Sequence, residues 1–391
     1  MSKATNPERY ASRGVSASKE DVYQAIGALD KGLFPNAFCK ILPDLLGGDK
    51  DFCNVVHADG SGTKAALAYL YWKETGHLDV WKGIAQDAIV MNTDDMLCAG
   101  IVDNMLYCSA INRNKKLIPA EVLGALINGS QEFFDRMREH GIDILYGGGE
   151  TADLGDVVRT ITVDSTMTAR LRRNEVIEAN VQAGDVILGL ASYGQATYED
   201  EYNSGIGSNG LTAARHETLH HDYRDFDETY DPALPTELVY SGNVKLTDRF
   251  EDAPLDAGRL LLSPTRTYAP LMKQVLAKYR SKIHALIHCT GGGQKKVMHY
   301  APQGVRIVKD KWLPIPHVFR MIQLQGATPW QEMYQMFNMG HRLEVYTDKE
   351  TTAAIQDIAA SFNIESALVG KVTASKERQL VLDTPHGLFE Y

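Results

Sequence analysis

Long apolar runs are missing from this chain of 391 residues. None approaches the ~20 consecutive apolar residues that a membrane-spanning helix needs, so no membrane partner is expected. The opening residues 1–13 are polar and lack the apolar core of a secretory signal. Cysteine is scarce: Cys39, Cys53, Cys98, Cys108 and Cys289 are odd in number, scattered and without a CxxC pair. That argues against a disulfide framework and a zinc ribbon, and it fits a reducing, cytoplasmic setting. Positive charge is in deficit, with 40 Lys and Arg against 50 Asp and Glu and a net charge of −10. No nucleic-acid partner is therefore expected, and any phosphate must be bound locally, by glycine-rich backbone and a few cations. Low-complexity tracts and internal repeats are absent as well. What remains is an ordinary globular composition, 44% hydrophobic and 23% charged, long enough for two domains.

Local pattern predicts helices over 17–31, 81–99, 119–139 and 351–362, the third with Pro119 near its first turn. Strands are expected over 52–58, 141–146 and 158–171, the second stopping at a glycine loop formed by Gly147, Gly148 and Gly149. The polar stretch 172–184 is the best boundary, dividing a domain 1–175 from a domain 176–391, and a new apolar strand opens at Val186. Residues 197–236, rich in Asp, Glu, His and Tyr, read as the least core-like part. Helices and strands are interspersed without regular βαβ spacing, so the expected fold class is α+β.

Three glycine clusters, 59–64, 147–151 and 290–293, fall at apparent strand ends. Glycine removes the Cβ and lets backbone N–H groups approach an anion, although any one cluster alone is compatible with a plain turn. Neither a Walker A nor a Rossmann fingerprint is present. Lys64 closes the first cluster, where an ammonium could meet a phosphate. Carboxylates accompany the glycines: Asp59 lies in the first cluster and Glu150 in the second. Asp87 and Asp94, seven residues apart, share one face of the expected helix, with Asp95 on the adjoining face. Their neighbours Met91, Met96, Leu97 and Cys98 make an apolar setting in which an unpaired carboxylate is costly. Oxygen ligands beside phosphate loops suit Mg²⁺, and the pattern points to a magnesium–nucleotide enzyme. A rival is written at His216, Glu217 and His220, which match the HExxH zinc signature. No further ligand pattern follows beyond the adjacent His221 and Asp222, and a solvated polar face is the simpler reading.

Eight motifs in order carry more than any single loop. Residues 57–64 resemble the GTDGVGTK loop of the aminoimidazole ribonucleotide synthetase family. Asp87, Met91, Asp94, Asp95 and Gly100 resemble its D…MCVNDLL…G helix, and residues 147–153 its GGETAE segment. Residues 184–192 are similar to GDVLIGLASSG, and Ser208, Asn209 and Gly210 to SNG. Residues 262–268 are similar to LLxPTRxY, 288–293 to HITGGG, and 337–340 to FNMG. The resemblance spans roughly residues 55–345.

This resemblance implies two α+β domains, the first a sheet with helices whose strands close with a second subunit into a β-barrel dimer. It also implies ATP-dependent cyclisation of formylglycinamidine ribonucleotide to aminoimidazole ribonucleotide in purine biosynthesis, with ADP and phosphate released. ATP and Mg²⁺ are implied, and a requirement for K⁺ stays open. The metal would be held, directly or through water, by Asp59, Asp94, Asp95 and Glu150, with Asp87 in support. Phosphates would lie against Gly60, Gly62, Thr63 and Lys64, with Gly148 and Gly149 opposite. Ser208, Asn209, Thr290, Gly291 and Gly292 would bind substrate or its phosphate. His288, Lys64 and Asp94 are the implied catalytic groups. Two positions depart from the family pattern: Asp94 stands where Asn is usual, and Gly207 where His usually precedes SNG. The alternatives left open are a nucleotide-binding relative without cyclo-ligase activity and a sister kinase for another phosphorylated substrate.

Overall fold

Alternation builds the first sheet. The computed structural model describes residues 29–391 together with Arg13 and Ala25; the helix expected over 17–31 falls largely outside them. Strand β1 (Ile41–Pro43) leads into β2 (Phe52–Gly60), and two helices follow, α1 (Lys64–Thr75) and α2 (Val80–Cys98). Then come β3 (Met105–Arg113), α3 (Ala120–Glu139), β4 (Ile144–Asp153) and β5 (Ile161–Arg172). The strands pair in the order β1-β2-β5-β3-β4, antiparallel except for β3 with β4. Along β3, Met105, Tyr107 and Ser109 are buried while Leu106 and Cys108 are exposed, the period of two expected where only one face is covered. On the covered face α3 buries Val122, Leu126, Phe133, Phe134 and Met137, a spacing that keeps one side of a helix apolar.

Strand β4 departs from expectation by running through the glycines to Asp153 rather than stopping at Gly147. Gly149 is required by packing: a Cβ there would sit 2.4 Å from the Ser109 carbonyl oxygen, where the β3–β4 register shifts.

The second half opens with β6 (Val186–Ala191), the short pair β7 (Tyr193–Gly194) and β8 (Asn203–Ser204), and α4 (Leu211–Thr218). Helices α5 (Ala257–Leu262) and α6 (Ala269–Tyr279) precede β9 (Ile283–His288) and β10 (Val305–Lys309). Next are α7 (His317–Gly326), α8 (Trp330–Met336), β11 (His341–Thr347) and α9 (Lys349–Ser361). Strands β12 (Ser366–Ala374), β13 (Gln379–Thr384) and β14 (Gly387–Glu390) close a mixed sheet of order β14-β13-β10-β12-β6-β11-β9. The chain changes sheet between Arg172 and Val186, and the architecture is two α+β domains. Their packing is not segregated. Trp81 and Ile84 of α2 share a core with Leu260 and Leu262 of α5, and α2 lies between the first sheet and β9. That position explains why α2 is buried on nearly every side.

Candidate active site

Strands β2, β3 and β4 end at one edge of the first sheet. Register there sets Gly60, Asp164, Ala110 and Glu150 in one row. Asp59 belongs to the neighbouring row, with Ser165, Ser109 and Gly149, so pleating directs Asp59 and Glu150 to opposite faces. Both carboxylates are exposed beside bare backbone. Gly62 (φ +55°) and Gly148 (φ +102°) adopt left-handed conformations, and a Cβ at either would meet nothing within 4 Å. Helix α1 starts at Lys64 without a side-chain cap, and Thr63 Oγ1 instead lies 2.9 Å from Thr212 Oγ1 in the first turn of α4. The glycine loop of one domain thus abuts a helix start of the other, and uncapped first-turn N–H groups suit an anion.

Lys64 does not reach that loop's surface. It is fully buried, its Nζ donating to Asp87 Oδ1 at 2.9 Å and to the Ser263 carbonyl at 2.6 Å. Asp87 also accepts from the Thr265 N–H at 2.8 Å and its hydroxyl at 2.5 Å. One turn pair along the same helix face, Asp94 accepts from Thr267 Oγ1 at 2.6 Å and the Tyr268 N–H at 3.1 Å. Burial pushes the Asp94 carboxyl upward, against the pull of His288, Thr267 and Arg342. The shared face expected for Asp87 and Asp94 is present, but it serves to fasten residues 263–268 onto α2. Arg266 of that segment is buried in turn on Glu199, at 2.9 and 2.5 Å. The phosphate role of Lys64 and the metal role of Asp94 are therefore corrected, since both are used by an interdomain fastening; Asp87 joins it through Oδ1, while its buried Oδ2 has no hydrogen-bond partner among the described residues. Among the described residues no three of Asp59, Asp87, Asp94, Asp95 and Glu150 bring ligand oxygens within 4.8 Å of one another, so a metal shared by them would be reached in part through water. Mg²⁺ can be held by a single carboxylate together with phosphate oxygens, and Asp59 and Glu150 are each solvent-exposed, on opposite faces of the sheet edge.

Asp95 is placed differently. Its Oδ1 lies 2.7 Å from His288 Nδ1, and its Oδ2 lies 3.5 Å from His57 Nε2. Asn92 Oδ1 meets the other His57 nitrogen at 2.8 Å. Burial raises the Asp95 carboxyl, but the His288 hydrogen bond and both histidine charges outweigh it, leaving Asp95 below the usual carboxylate range. His288 is fully buried, yet its Nε2 has no hydrogen-bond partner among the described residues. It is thus neither a fully satisfied core histidine nor an open surface base.

Gly207, Asn209, Thr290, Asn338 and Arg342 line a small cleft that opens to solvent. Gly291 faces Asn209, whose Nδ2 would be 3.5 Å from an added Cβ. Gly292 and Gly293 turn the chain with φ of +102° and +50°. The expectation missed Arg342, His57 and Asn92. Arg342 directly follows two residues after the last motif's Met339 and Gly340, without any local pattern to distinguish it, and His57 sat unassigned inside a motif.

The zinc reading fails on geometry. Helix α4 ends at Thr218, so His216 and His220 do not share a helical face. His216 is fully buried, and burial holds it down at about 2. Glu217 pairs with Arg13 at 3.2 Å. His220, His221 and Asp222 do lie within metal-ligand reach of each other, but Lys245 Nζ is already 3.0 Å from Asp222.

Comparison with known proteins adds the kinship. The N-terminal domain of AIR synthase related protein matches residues 41–171, and its C-terminal domain matches residues 182–383. The phosphoribosylformylglycinamidine cyclo-ligase of Staphylococcus carnosus is 30% identical over 332 residues, covering 83% of this chain and 81% of that protein. The enzyme of the same name from Methanocaldococcus jannaschii is 29% identical over 330 residues, covering 84% and 80%. Among solved structures, thiamine-monophosphate kinase from Stenotrophomonas maltophilia is similar in fold, with a TM-score of 0.52 at 15% identity, covering 95% of this chain and 97% of that one. Thermotoga maritima PurL complexed with FGAR reaches 0.55 at 14% identity, covering 99% of this chain and 52% of that one. The chain belongs to the AIR synthase related family.

Proposed function

We propose that this member of the AIR synthase related family is an ATP-dependent cyclo-ligase of purine biosynthesis, working in the cytoplasm. It converts formylglycinamidine ribonucleotide to aminoimidazole ribonucleotide. The observation that carries the reading is the similarity to named cyclo-ligases along both domains, over 83–84% of the chain. An amide oxygen is a poor leaving group and phosphate a good one. The substrate's amide oxygen therefore takes the γ-phosphoryl group and ADP departs. A nitrogen of the same molecule then attacks the activated carbon, loses a proton, and phosphate leaves as the ring closes. Phosphoryl transfer asks the protein chiefly for positioning and charge neutralisation.

The residues present suit that demand. Backbone at Gly60, Gly62 and Gly148 lies open to phosphates, and the start of α1 adds its positive end. Mg²⁺, bound chiefly through phosphate oxygens, would take a carboxylate from Asp59 or from Glu150, which face opposite sides of the sheet edge, and would supply neutralisation of phosphate charge. Asp95 orients His288 through Nδ1, leaving Nε2 as the atom able to accept or return a proton. Asn209 and Thr290 bind the ribonucleotide in the adjoining cleft, with Ser208 beside it in the same turn.

The same reading gives the first sheet its cover. Val56, Leu106 and Leu145 stand 53%, 50% and 64% exposed on its outer face, apolar surface that a second subunit would bury in a homodimer.

The test is an incubation of pure protein with formylglycinamidine ribonucleotide, ATP and Mg²⁺, following imidazole product and ADP together. Equal appearance of both is expected. ADP without the imidazole would turn the reading towards a sister phosphoryl transfer, and neither product with ATP bound towards a nucleotide-binding relative.

A further inference from the structure

We propose that His220, His221 and Asp222 form a surface site for a borderline divalent cation such as Zn²⁺ or Ni²⁺, separate from the active site. Each residue offers one ligand atom, and the three atoms lie within 4.8 Å of one another. Only His220 is shared with the HExxH signature, whose other members, His216 and Glu217, are buried in α4. Helix α4 separates the two regions. Its first turn meets Thr63 of the glycine loop, and the histidines follow its far end, about 12 Å along.

The turn that carries these residues is anchored on both sides. Before it, Leu219 is fully buried, and the His220 N–H donates to the Val244 carbonyl at 2.9 Å. After it, Tyr223 is buried, its hydroxyl donating to Glu74 at 2.6 Å and accepting the Leu246 N–H at 2.7 Å. Between the anchors the two imidazole rings sit 3.9 Å apart, tilted by 38°. His220 Nδ1 accepts the Asp222 N–H at 3.3 Å, so this nitrogen presents its lone pair. Asp222 Oδ2 lies 3.1 Å from it, and Asp222 Oδ1 lies 3.7 Å from His221 Nε2. A lone pair and a carboxylate this close repel each other unless a cation stands beside them. Lys245 Nζ serves from outside, 3.0 Å from Oδ2, and leaves Oδ1 to the histidines.

The donor set selects the ion. Two imidazoles with one carboxylate suit zinc, nickel, cobalt or copper, whereas Mg²⁺ and Ca²⁺ prefer oxygen ligands throughout. The Lys245 hydrogen bond holds the Asp222 carboxyl below the usual carboxylate range, so the oxygen stays charged for a metal. Donors around a tetrahedral zinc stand about 3.3 Å apart, so the farthest moves inward by at most about 1.5 Å. The His221 side chain is 62% exposed and free to make that swing. Three protein ligands leave a fourth position open to water.

The test is calorimetric titration of the full chain, freed of metal by a chelator, with Zn²⁺ and separately with Mg²⁺. Zn²⁺ binding is expected to weaken roughly tenfold or more in His220→Ala and in His221→Ala. Losing a ligand costs at least what losing a ligand's hydrogen-bond partner does. Lys245→Met removes the competing cation and is expected to tighten Zn²⁺ binding by up to about fivefold, the worth of an exposed ion pair. His221 and Lys245 are exposed, so their variants are expected to keep the wild-type melting temperature. Unchanged Zn²⁺ affinity in either histidine variant, no Zn²⁺ binding by the wild type, or tighter binding of Mg²⁺ than of Zn²⁺ overturns the proposal. Weaker binding in Lys245→Met overturns the place of Asp222 among the ligands. Turnover plays no part in the readout, so the result stands whatever reaction the active site performs.

Discussion

The two sheets of this molecule treat polar groups in opposite ways. Strand β3 in the first sheet alternates buried and exposed residues at its start, whereas every residue of β11 in the second is buried. The first sheet keeps Asp59 and Glu150 at a wet edge, where charge costs little. The second carries charge inside. Glu344 is fully buried with Lys309 and His341 beside it, and the Tyr346 hydroxyl donates to it at 2.9 Å. Burial alone would raise the Glu344 carboxyl, but Lys309 and His341 bring it down to about 2. A sheet with one open face can gain or lose a charge cheaply. A sheet covered on both faces cannot, and each charge there must be matched before the chain folds.

That contrast can be broken first at Lys309. Lys309→Met leaves Glu344 as an unmatched buried charge and is expected to cost about 3–5 kcal/mol in urea denaturation. A loss below about 1 kcal/mol, the worth of a surface pair, would erase the distinction between the sheets.

Next in size is the junction of the domains. Asp95→Asn keeps the shape of the site but weakens its hold on His57 and His288. Product formation is expected to fall roughly a hundredfold with the KM for ATP little changed, as loss of an oriented acid or base would do. A parallel rise in the ATP KM would instead tie Asp95 to nucleotide binding.

The outer face of the first sheet should answer to charge with a smaller effect. Leu145→Asp is expected to weaken self-association by about 1–3 kcal/mol, read by light scattering across a dilution series, with monomer stability nearly unchanged. A wild-type chain that is monomeric at all concentrations would remove the homodimer.

Acid sharpens the comparison most gently. Glu344 sits at about 2 against an ordinary 4.5, so its stabilisation is complete above pH 4.5 and is lost as pH falls through about 2. Asp164, at the edge of the first sheet, is shifted the other way, raised by burial, so its protonation on acidification relieves a cost. Amide exchange should therefore accelerate in β11 before β5 as pH drops below 4.5. Equal acceleration of both strands would mean that the sheets share one acid response.

Much of the fold could be read from local pattern because its elements follow their own periods. Strand β2, helices α2, α3 and α9, and strand β6 lie within a few residues of expectation, each marked by period or by a proline or glycine boundary. Strand β4 ran on through its glycines, since the need there was close approach to Ser109 rather than a turn. At the site, Asp59, Glu150, Ser208, Asn209 and Thr290 were legible as exposed or loop positions in ordered motifs. Lys64 and Asp94 were legible as important and misread in role, and Asp87 is half taken up, with its Oδ2 unpartnered among the described residues. A buried ion pair and a phosphate contact call for the same residue types, and only the partner 170 to 180 positions away separates them.

The sequence by itself determined the α+β class, the order of elements, the glycine backbone at the sheet edge and the kinship of the chain, because these depend on local period and on motifs in order. The tertiary structure alone decided which charges are spent and which remain usable. Residues 263–268 fold back over α2 and take Asp94 and one oxygen of Asp87, while β9 brings His288 to Asp95 and β11 brings Arg342 beside Gly207 and Asn209. Hydrogen-bond capacity is finite, and what a side chain has left to offer a ligand is set by what distant chain segments have already taken.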